Sequence, residues 1–91
     1  MVEFNYSNFI DFLSRRFVID KEKILFDSVF TEDLGIDSLT LYSLISDVEN
    51  KYNIHMDLDD ITQISTVGKV YTYIENEFKK KGSFIIEEFN E

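Results

Sequence analysis

The chain has 91 residues, of which 44% are hydrophobic, and its formal net charge at pH 7 is -9. This length predicts one domain, whose core buries roughly two-thirds of the unfolded surface and leaves no room for a deep catalytic cavity. The acidic balance argues against binding to nucleic acid or to anionic membranes, and it favours partners with basic patches.

Several kinds of segment are missing from the sequence. No apolar run approaches the ~20 residues of a membrane span, and the N-terminus lacks the basic and apolar regions of a signal peptide. We therefore expect a cytoplasmic protein. Because the chain contains no cysteine, it cannot form a disulfide, a zinc-thiolate site or a cysteine nucleophile, and any thiol chemistry would need an added cofactor.

Three segments share the apolar spacing i, i+3, i+4, i+7 and i+11 of an amphipathic helix. They start at Tyr6, Leu41 and Val67. Capping residues stand near the start of each segment, and the candidates are Asn5 or Ser7, Asp37 or Ser38, and Ser65 or Thr66. The pattern predicts an all-α fold, a small four-helix bundle with three main helices, one short helix and a long first loop.

The two connections between these helices differ in length. The first, from Val18 to Asp37, has no sustained period, so we predict an ordered loop held to the bundle by its apolar side chains: Ile19, Ile24, Leu25, Phe26, Val29, Phe30 and Leu34. The second, from Asn53 to Ile64, contains Asp57, Asp59 and Asp60 and suits one short helical turn capped by an aspartate.

The end of the chain changes character after its lysines. Lys79, Lys80 and Lys81 suit a helix C-terminus, and Gly82 is expected to break the helix. We therefore divide the chain into a domain of residues 1–81 and a C-terminal tail of residues 82–91. A frayed end, packing onto the domain and docking to a partner all remain open for this tail.

Ser38 stands where the turn at Gly35 runs into the second predicted helix. Asp37 and Ser38 form an ordinary N-cap signature. A hydroxyl at a helix N-terminus also suits a phosphate ester, because the free N–H groups and the helix dipole stabilise negative charge there. Local reasoning therefore leaves a plain cap and a modification site open.

Catalysis and metal binding fit this sequence poorly. A serine nucleophile needs a general base, and His55 is the only histidine. An EF-hand loop starting at Asp57 would need glycine at its sixth position and glutamate at its twelfth, where this chain has Thr62 and Gly68. We predict neither an enzyme nor a metal site.

The segment Thr31–Leu39, with its sequence Thr-Glu-Asp-Leu-Gly-Ile-Asp-Ser-Leu, resembles the attachment motif of acyl carrier proteins. These small acidic proteins bear 4′-phosphopantetheine. Phe30 and Ile24 resemble the family's apolar residues upstream of the motif, and Ile64–Gly68 is similar to the start of its last helix. The spacing is similar from about Asn5 to Phe78.

The resemblance implies that Ser38 carries a covalent 4′-phosphopantetheine arm, which a phosphopantetheinyl transferase moves from coenzyme A in a magnesium-dependent step. It implies that Asp37 assists this transfer and that partner enzymes contact Leu39. The thiol of the arm then holds acyl groups as thioesters, so the chain is a carrier. Acyl-loading and acyl-transfer enzymes with basic patches are further implied partners, and a monomer is expected.

The family's bundle can shelter an acyl chain between its helices. The resemblance implies that the pocket walls here are six apolar residues, which also serve as plain core: Phe30, Leu44, Ile45, Val48, Met56 and Ile64.

The predicted docking surface consists of Leu39, Tyr42, Asp47, Glu49 and Ile61. It departs from the fatty-acid carriers, which usually have acidic residues where this chain has Thr40 and Ser43, and a small aliphatic residue in place of Tyr42. These departures favour a specialised fatty-acid, lipid or secondary-metabolite pathway.

Two alternatives remain at this stage. The first is an aminoacyl, peptidyl or polyketide carrier, and the second is an unmodified acidic interaction module. Met1 and the short flanks of the domain also predict a free-standing protein.

Overall fold

The computed structural model describes residues 4–57 and 61–90, with the backbone alone for residues 61 and 81–90. It contains three α-helices: α1 (Tyr6–Phe17), α2 (Ser38–Tyr52) and α3 (Val67–Asn90). Two 3-10 turns, Lys21–Lys23 and Ile61–Ile64, lie in the connections. The described residues form no β-strand. The all-α prediction with three main helices is confirmed, whereas the expected short helix corresponds to no more than the turn Ile61–Ile64.

Each helix begins at a residue whose side chain accepts a backbone hydrogen bond. Asn5 Oδ1 accepts from the N–H of Asn8 at 2.8 Å, and Asp37 Oδ1 accepts from the N–H of Thr40 at 2.9 Å. Thr66 Oγ1 accepts from the N–H of Lys69 at 3.1 Å. Because a cap satisfies donors that the first turn leaves unpaired, these contacts decide between the candidate caps.

The three apolar stripes meet in one core. Fully buried members come from every helix, namely Phe9 and Leu13, Leu44 and Val48, and Val70 and Ile74. Aromatic rings close the end of this core near the C-terminus of α2: the Tyr52 ring lies 5.1 Å from the Phe4 ring and 6.0 Å from the Phe78 ring. Ser38 lies at the opposite end of α2.

The long first loop docks on the start of α3 through its backbone. The N–H of Phe30 donates to the carbonyl of Ser65 at 3.0 Å, the N–H of Val67 to Ser28 at 3.0 Å, and the N–H of Gly68 to Phe26 at 2.7 Å. Gly68 permits this approach, because a Cβ on it would lie 2.5 Å from Phe26 Cε2. The prediction of an ordered, docked loop is therefore confirmed.

One detail of the loop prediction is wrong. Leu25 is 57% exposed and does not hold the loop to the core. Ile24 and Phe30 are buried and hold the loop there, and the half-exposed Phe26 ring lies against Gly68 of α3 and 6.0 Å from the Tyr6 ring. The reason is that backbone hydrogen bonds to α3, which no apolar pattern reveals, carry much of the docking.

The prediction that Gly82 breaks the last helix is also wrong, since α3 continues to Asn90. A glycine inside a helix costs only about 1 kcal/mol relative to alanine, which is too little to end a helix by itself. The side chains of residues 82–91 lie outside the described part of the chain. No described helix is long and apolar enough to cross a membrane.

Candidate functional site

A tight turn places Ser38 at the mouth of α2. Gly35 adopts a left-handed φ of 68°, a conformation that glycine reaches without strain. The N–H of Ile36 then donates to the carbonyl of Phe30 at 2.9 Å, and the Ile36 side chain is buried. The turn is therefore anchored directly before the helix, which gives Ser38 a defined position.

Asp37, and not Ser38, caps α2. Its carboxylate accepts from the N–H of Thr40, and its carbonyl accepts from the N–H of Leu41 at 2.9 Å. The hydrogen bonds from Thr40 lower the pKa of the Asp37 carboxyl, since they favour its charged form. Ser38 is the first residue of the helix and is exposed. Its hydroxyl is thus not used as the cap and faces solvent beside an ionised carboxylate.

The only histidine cannot serve Ser38 as a base. His55 is exposed, and its Nδ1 lies 3.5 Å from Glu49 Oε2. Glu49 is eleven residues after Ser38 on α2, about 16 Å along the helix axis. The described residues also contain no group of three histidine or acidic side chains that could hold a metal ion. Among the described residues, the site therefore offers an accessible hydroxyl at Ser38.

The structure places the predicted docking residues on different sides of α2. Leu39 and Tyr42 are 81% and 45% exposed near the start of the helix. Asp47 faces α1, where its Oδ2 accepts from Arg16 Nε at 2.6 Å. Glu49 faces the following loop and accepts from the N–H of Met56 at 2.8 Å. The side chain of Ile61, a further docking candidate, lies outside the described residues.

The six predicted pocket residues are all buried in one cluster. They come from the first loop, from α2, and from the segment before α3, and they are Phe30, Leu44, Ile45, Val48, Met56 and Ile64. The structure therefore brings together side chains that lie as far apart in sequence as residues 30 and 64.

Sequence reasoning missed two contributors to this region. Arg16 reaches α2 from the end of α1, and Gly68 lets Phe26 of the first loop approach α3. The position of Arg16 in the last turn of a helix signalled only a favourable dipole interaction. Gly68 belongs to the segment that resembles the start of the family's last helix, but that resemblance did not indicate a close approach of Phe26.

The similarity of this chain to known proteins covers the region around Ser38. Residues 10–74, which include the turn, Ser38 and α2, match the family model described as the phosphopantetheine attachment site. The acyl carrier protein of Chloroherpeton thalassium is 41% identical over 64 residues, which cover 70% of this chain and 80% of that protein. The acyl carrier protein of Lactobacillus johnsonii is 34% identical over 71 residues, or 78% and 89%. That of Thermotoga maritima is 33% identical over 70 residues, or 77% and 86%.

Proposed function

The chain belongs to the acyl carrier protein family, and from that premise we propose that Ser38 is the residue that bears the 4′-phosphopantetheine group. Members of this family are carriers and not catalysts. They carry the group covalently, and they interact with phosphopantetheinyl transferases and acyl-handling enzymes. The thiol of the bound group supplies the chemistry, because it holds acyl chains as thioesters.

The observation that carries the proposal is the exposed Ser38 hydroxyl at the N-terminus of α2. A phosphodiester on this oxygen would lie at the positive end of the helix dipole, beside backbone N–H groups that the helix leaves unpaired. Asp37 already supplies the cap, so esterification of Ser38 removes no hydrogen bond that the helix needs. The residues present therefore fit the group.

Asp37 is proposed to assist the transfer to Ser38. Its pKa is lowered by the hydrogen bonds from Thr40, so the carboxylate is ionised at neutral pH. An ionised carboxylate next to the acceptor hydroxyl suits the Mg²⁺ ion that the transferase brings with coenzyme A. The ion is needed during transfer only.

We propose that the buried cluster around Leu44 also receives part of the acyl chain. Its members are apolar and lie on the loop before Ser38, on α2, and on the segment before α3. Each methylene that enters gains about 0.8 kcal/mol from leaving water, which offsets the cost of moving side chains apart. We further propose that the turn Ile61–Ile64 is the counterpart of a short helix between α2 and α3, which would complete a four-helix bundle.

The pathway is proposed to be a specialised one that handles fatty-acid, lipid or secondary-metabolite intermediates. The support is the surface near Ser38, where Thr40, Tyr42 and Ser43 replace the acidic and small aliphatic residues of fatty-acid carriers. We propose that the protein is a cytoplasmic monomer. We also propose that its partners carry basic patches, because its net charge is -9. Residues 82–91 are proposed to be an appendage to the carrier domain of residues 1–81.

Intact mass spectrometry tests the attachment site. The purified chain is incubated with coenzyme A, Mg²⁺ and a broad-specificity phosphopantetheinyl transferase, and a gain of one phosphopantetheine is expected. Ser38→Ala should gain nothing, whereas Ser46→Ala, which removes another exposed hydroxyl from α2, should be modified like the wild type. A gain on Ser38→Ala, or none on the wild type with several transferases, would refute the proposal.

A further inference from the structure

The side chain of Arg16 reaches from the last turn of α1 to the surface of α2. Its Nε donates to Asp47 Oδ2 at 2.6 Å, and its Nη2 donates to Ser43 Oγ at 3.1 Å. The side chain is only 27% exposed. Because two donors of one planar guanidinium are engaged, its position is better defined than that of a single surface ion pair. The structure thus fixes a positive charge on the flank of α2.

The two carboxylates on α2 are both engaged within the chain. Asp47 pairs with Arg16. Glu49 accepts from the N–H of Met56 and lies 3.5 Å from His55 Nδ1. Although the whole chain is strongly acidic, Asp47 on the helix that starts at Ser38 is therefore already paired with a cation.

We propose that Arg16 is a specificity-determining residue that weakens the recognition of this carrier by enzymes with a basic docking face. The inference rests on the proposed function, because it requires partners to approach α2 in order to reach Ser38. A basic residue of a partner that approaches Asp47 meets a guanidinium already bound there. It therefore gains less attraction from the carboxylate, because the hydrogen bond from Arg16 already occupies Asp47 Oδ2.

Arg16 acts through Asp47 and is a positioning residue with no contact to the reacting atoms. Partners that recognise the exposed apolar side chain of Leu39 lose no affinity because of Arg16. The effect is therefore selective: it disfavours partners that depend on charge and leaves apolar recognition unchanged. This selectivity fits a carrier that serves a restricted set of enzymes.

Arg15 provides a matched control. It is adjacent in sequence, but its side chain is 80% exposed and pairs with Asp11 within α1, at 3.1 Å. Arg15→Gln and Arg16→Gln change the net charge of the chain equally, so any long-range effect of charge is the same in both. They differ in whether the carboxylate of Asp47 is released.

The experiment measures kcat/KM for transfer of phosphopantetheine to Ser38 by a transferase with a basic docking face. At low salt, Arg16→Gln is expected to raise kcat/KM about two- to fivefold, the range of exposed ion pairs, and mainly through KM. Near 1 M salt, where the Debye length is about 3 Å, the gain should disappear. Arg15→Gln and the charge-conserving Arg16→Lys should stay close to the wild type.

A double-mutant cycle decides whether the effect runs through Asp47. In an Asp47→Asn background, Arg16→Gln should give a much smaller gain than in the wild type. Equal effects of Arg15→Gln and Arg16→Gln, a gain that persists in full with Asp47→Asn, or a lower kcat/KM for Arg16→Gln would each overturn the proposal. If Arg16→Gln does not fold, Arg16→Met, which keeps the aliphatic stem, carries the same test.

The outcomes separate this inference from the proposed function. If the wild-type chain is never modified at Ser38, the attachment proposal itself fails. If the wild type is modified and the arginine variants react alike at every salt concentration, only the role of Arg16 is wrong.

Discussion

The hydroxyl of Tyr52 is a polar group inside the aromatic part of the core. The side chain is only 2% exposed, and the hydroxyl oxygen has no hydrogen bond among the described residues. The ring itself is well packed, with edge contacts to Phe4, Phe12 and Phe78 at centroid distances of 5.1, 6.4 and 6.0 Å. The oxygen thus loses its hydration on folding while the ring contributes to the core.

Tyr52→Phe should therefore stabilise the protein. A buried polar group that stays unpaired costs about 1–3 kcal/mol, and phenylalanine keeps the ring contacts. We expect the free energy of unfolding to rise by about 1–2 kcal/mol. For a chain of this size, each kcal/mol raises Tm by about 4–8 °C.

Urea unfolding followed by circular dichroism measures this change. Tyr42→Phe is the control, because Tyr42 is 45% exposed, and a surface change of this kind should stay within about 0.5 kcal/mol. If Tyr52→Phe destabilises the chain by about 1 kcal/mol or more while Tyr42→Phe does not, the Tyr52 hydroxyl has a favourable partner and the reasoning is wrong.

The pH dependence of stability provides a second test of the Tyr52 hydroxyl. Burial raises the pKa of the Tyr52 hydroxyl above its usual 10.0, so the folded chain holds this proton more tightly than the unfolded chain. The resulting stability is present below the unfolded pKa and is lost as the pH rises through the folded pKa. Above about pH 10, the wild type should therefore lose more stability than Tyr52→Phe.

Two further predictions concern the backbone. Val18, a β-branched residue, has a left-handed φ of 57°, which costs about 1–2 kcal/mol for an L-residue. Val18→Gly should therefore raise the free energy of unfolding by about 1 kcal/mol in urea titrations, and a loss would show that the C-cap is unstrained. Gly68→Ala should lower the free energy of unfolding by about 1 kcal/mol, because the new methyl group displaces the Phe26 ring. In a Phe26→Ala background, Gly68→Ala should cost much less stability than in the wild type. If the two substitutions have fully additive effects, the proposed clash is contradicted.

The positions of the helices could be predicted from the sequence because helix formation is largely local. The apolar stripes that begin at Tyr6, Leu41 and Val67 all lie on observed helices, since a period of 3.6 residues encodes one buried face. The sequence limits each helix cap to two candidate residues, because capping also depends on neighbouring residues. Gly82 does not end α3, because the weak helix preference of one glycine is outweighed by the rest of a long helix.

Some features of the candidate site also follow from adjacent residues, and others depend on tertiary packing. The location of Ser38 at the mouth of α2 follows from adjacent residues, namely the turn glycine and the capping aspartate, so the sequence by itself determined it. The surroundings of α2 depend on packing. Arg16 and Asp47 are 31 residues apart in the sequence. The apolar periodicity does not indicate that the end of α1 lies against the side of α2 that carries Asp47.

Only the tertiary structure decided that the Asp47 carboxylate on α2 pairs with a cation from another helix. The same holds for the close approach of Phe26 to Gly68 and for the Tyr52 hydroxyl, which has no hydrogen bond within the part of the chain that the structure describes. The physical reason is common to all three. A local pattern specifies which face of each element is buried, whereas the packing of elements against each other decides which polar groups meet and which are left alone.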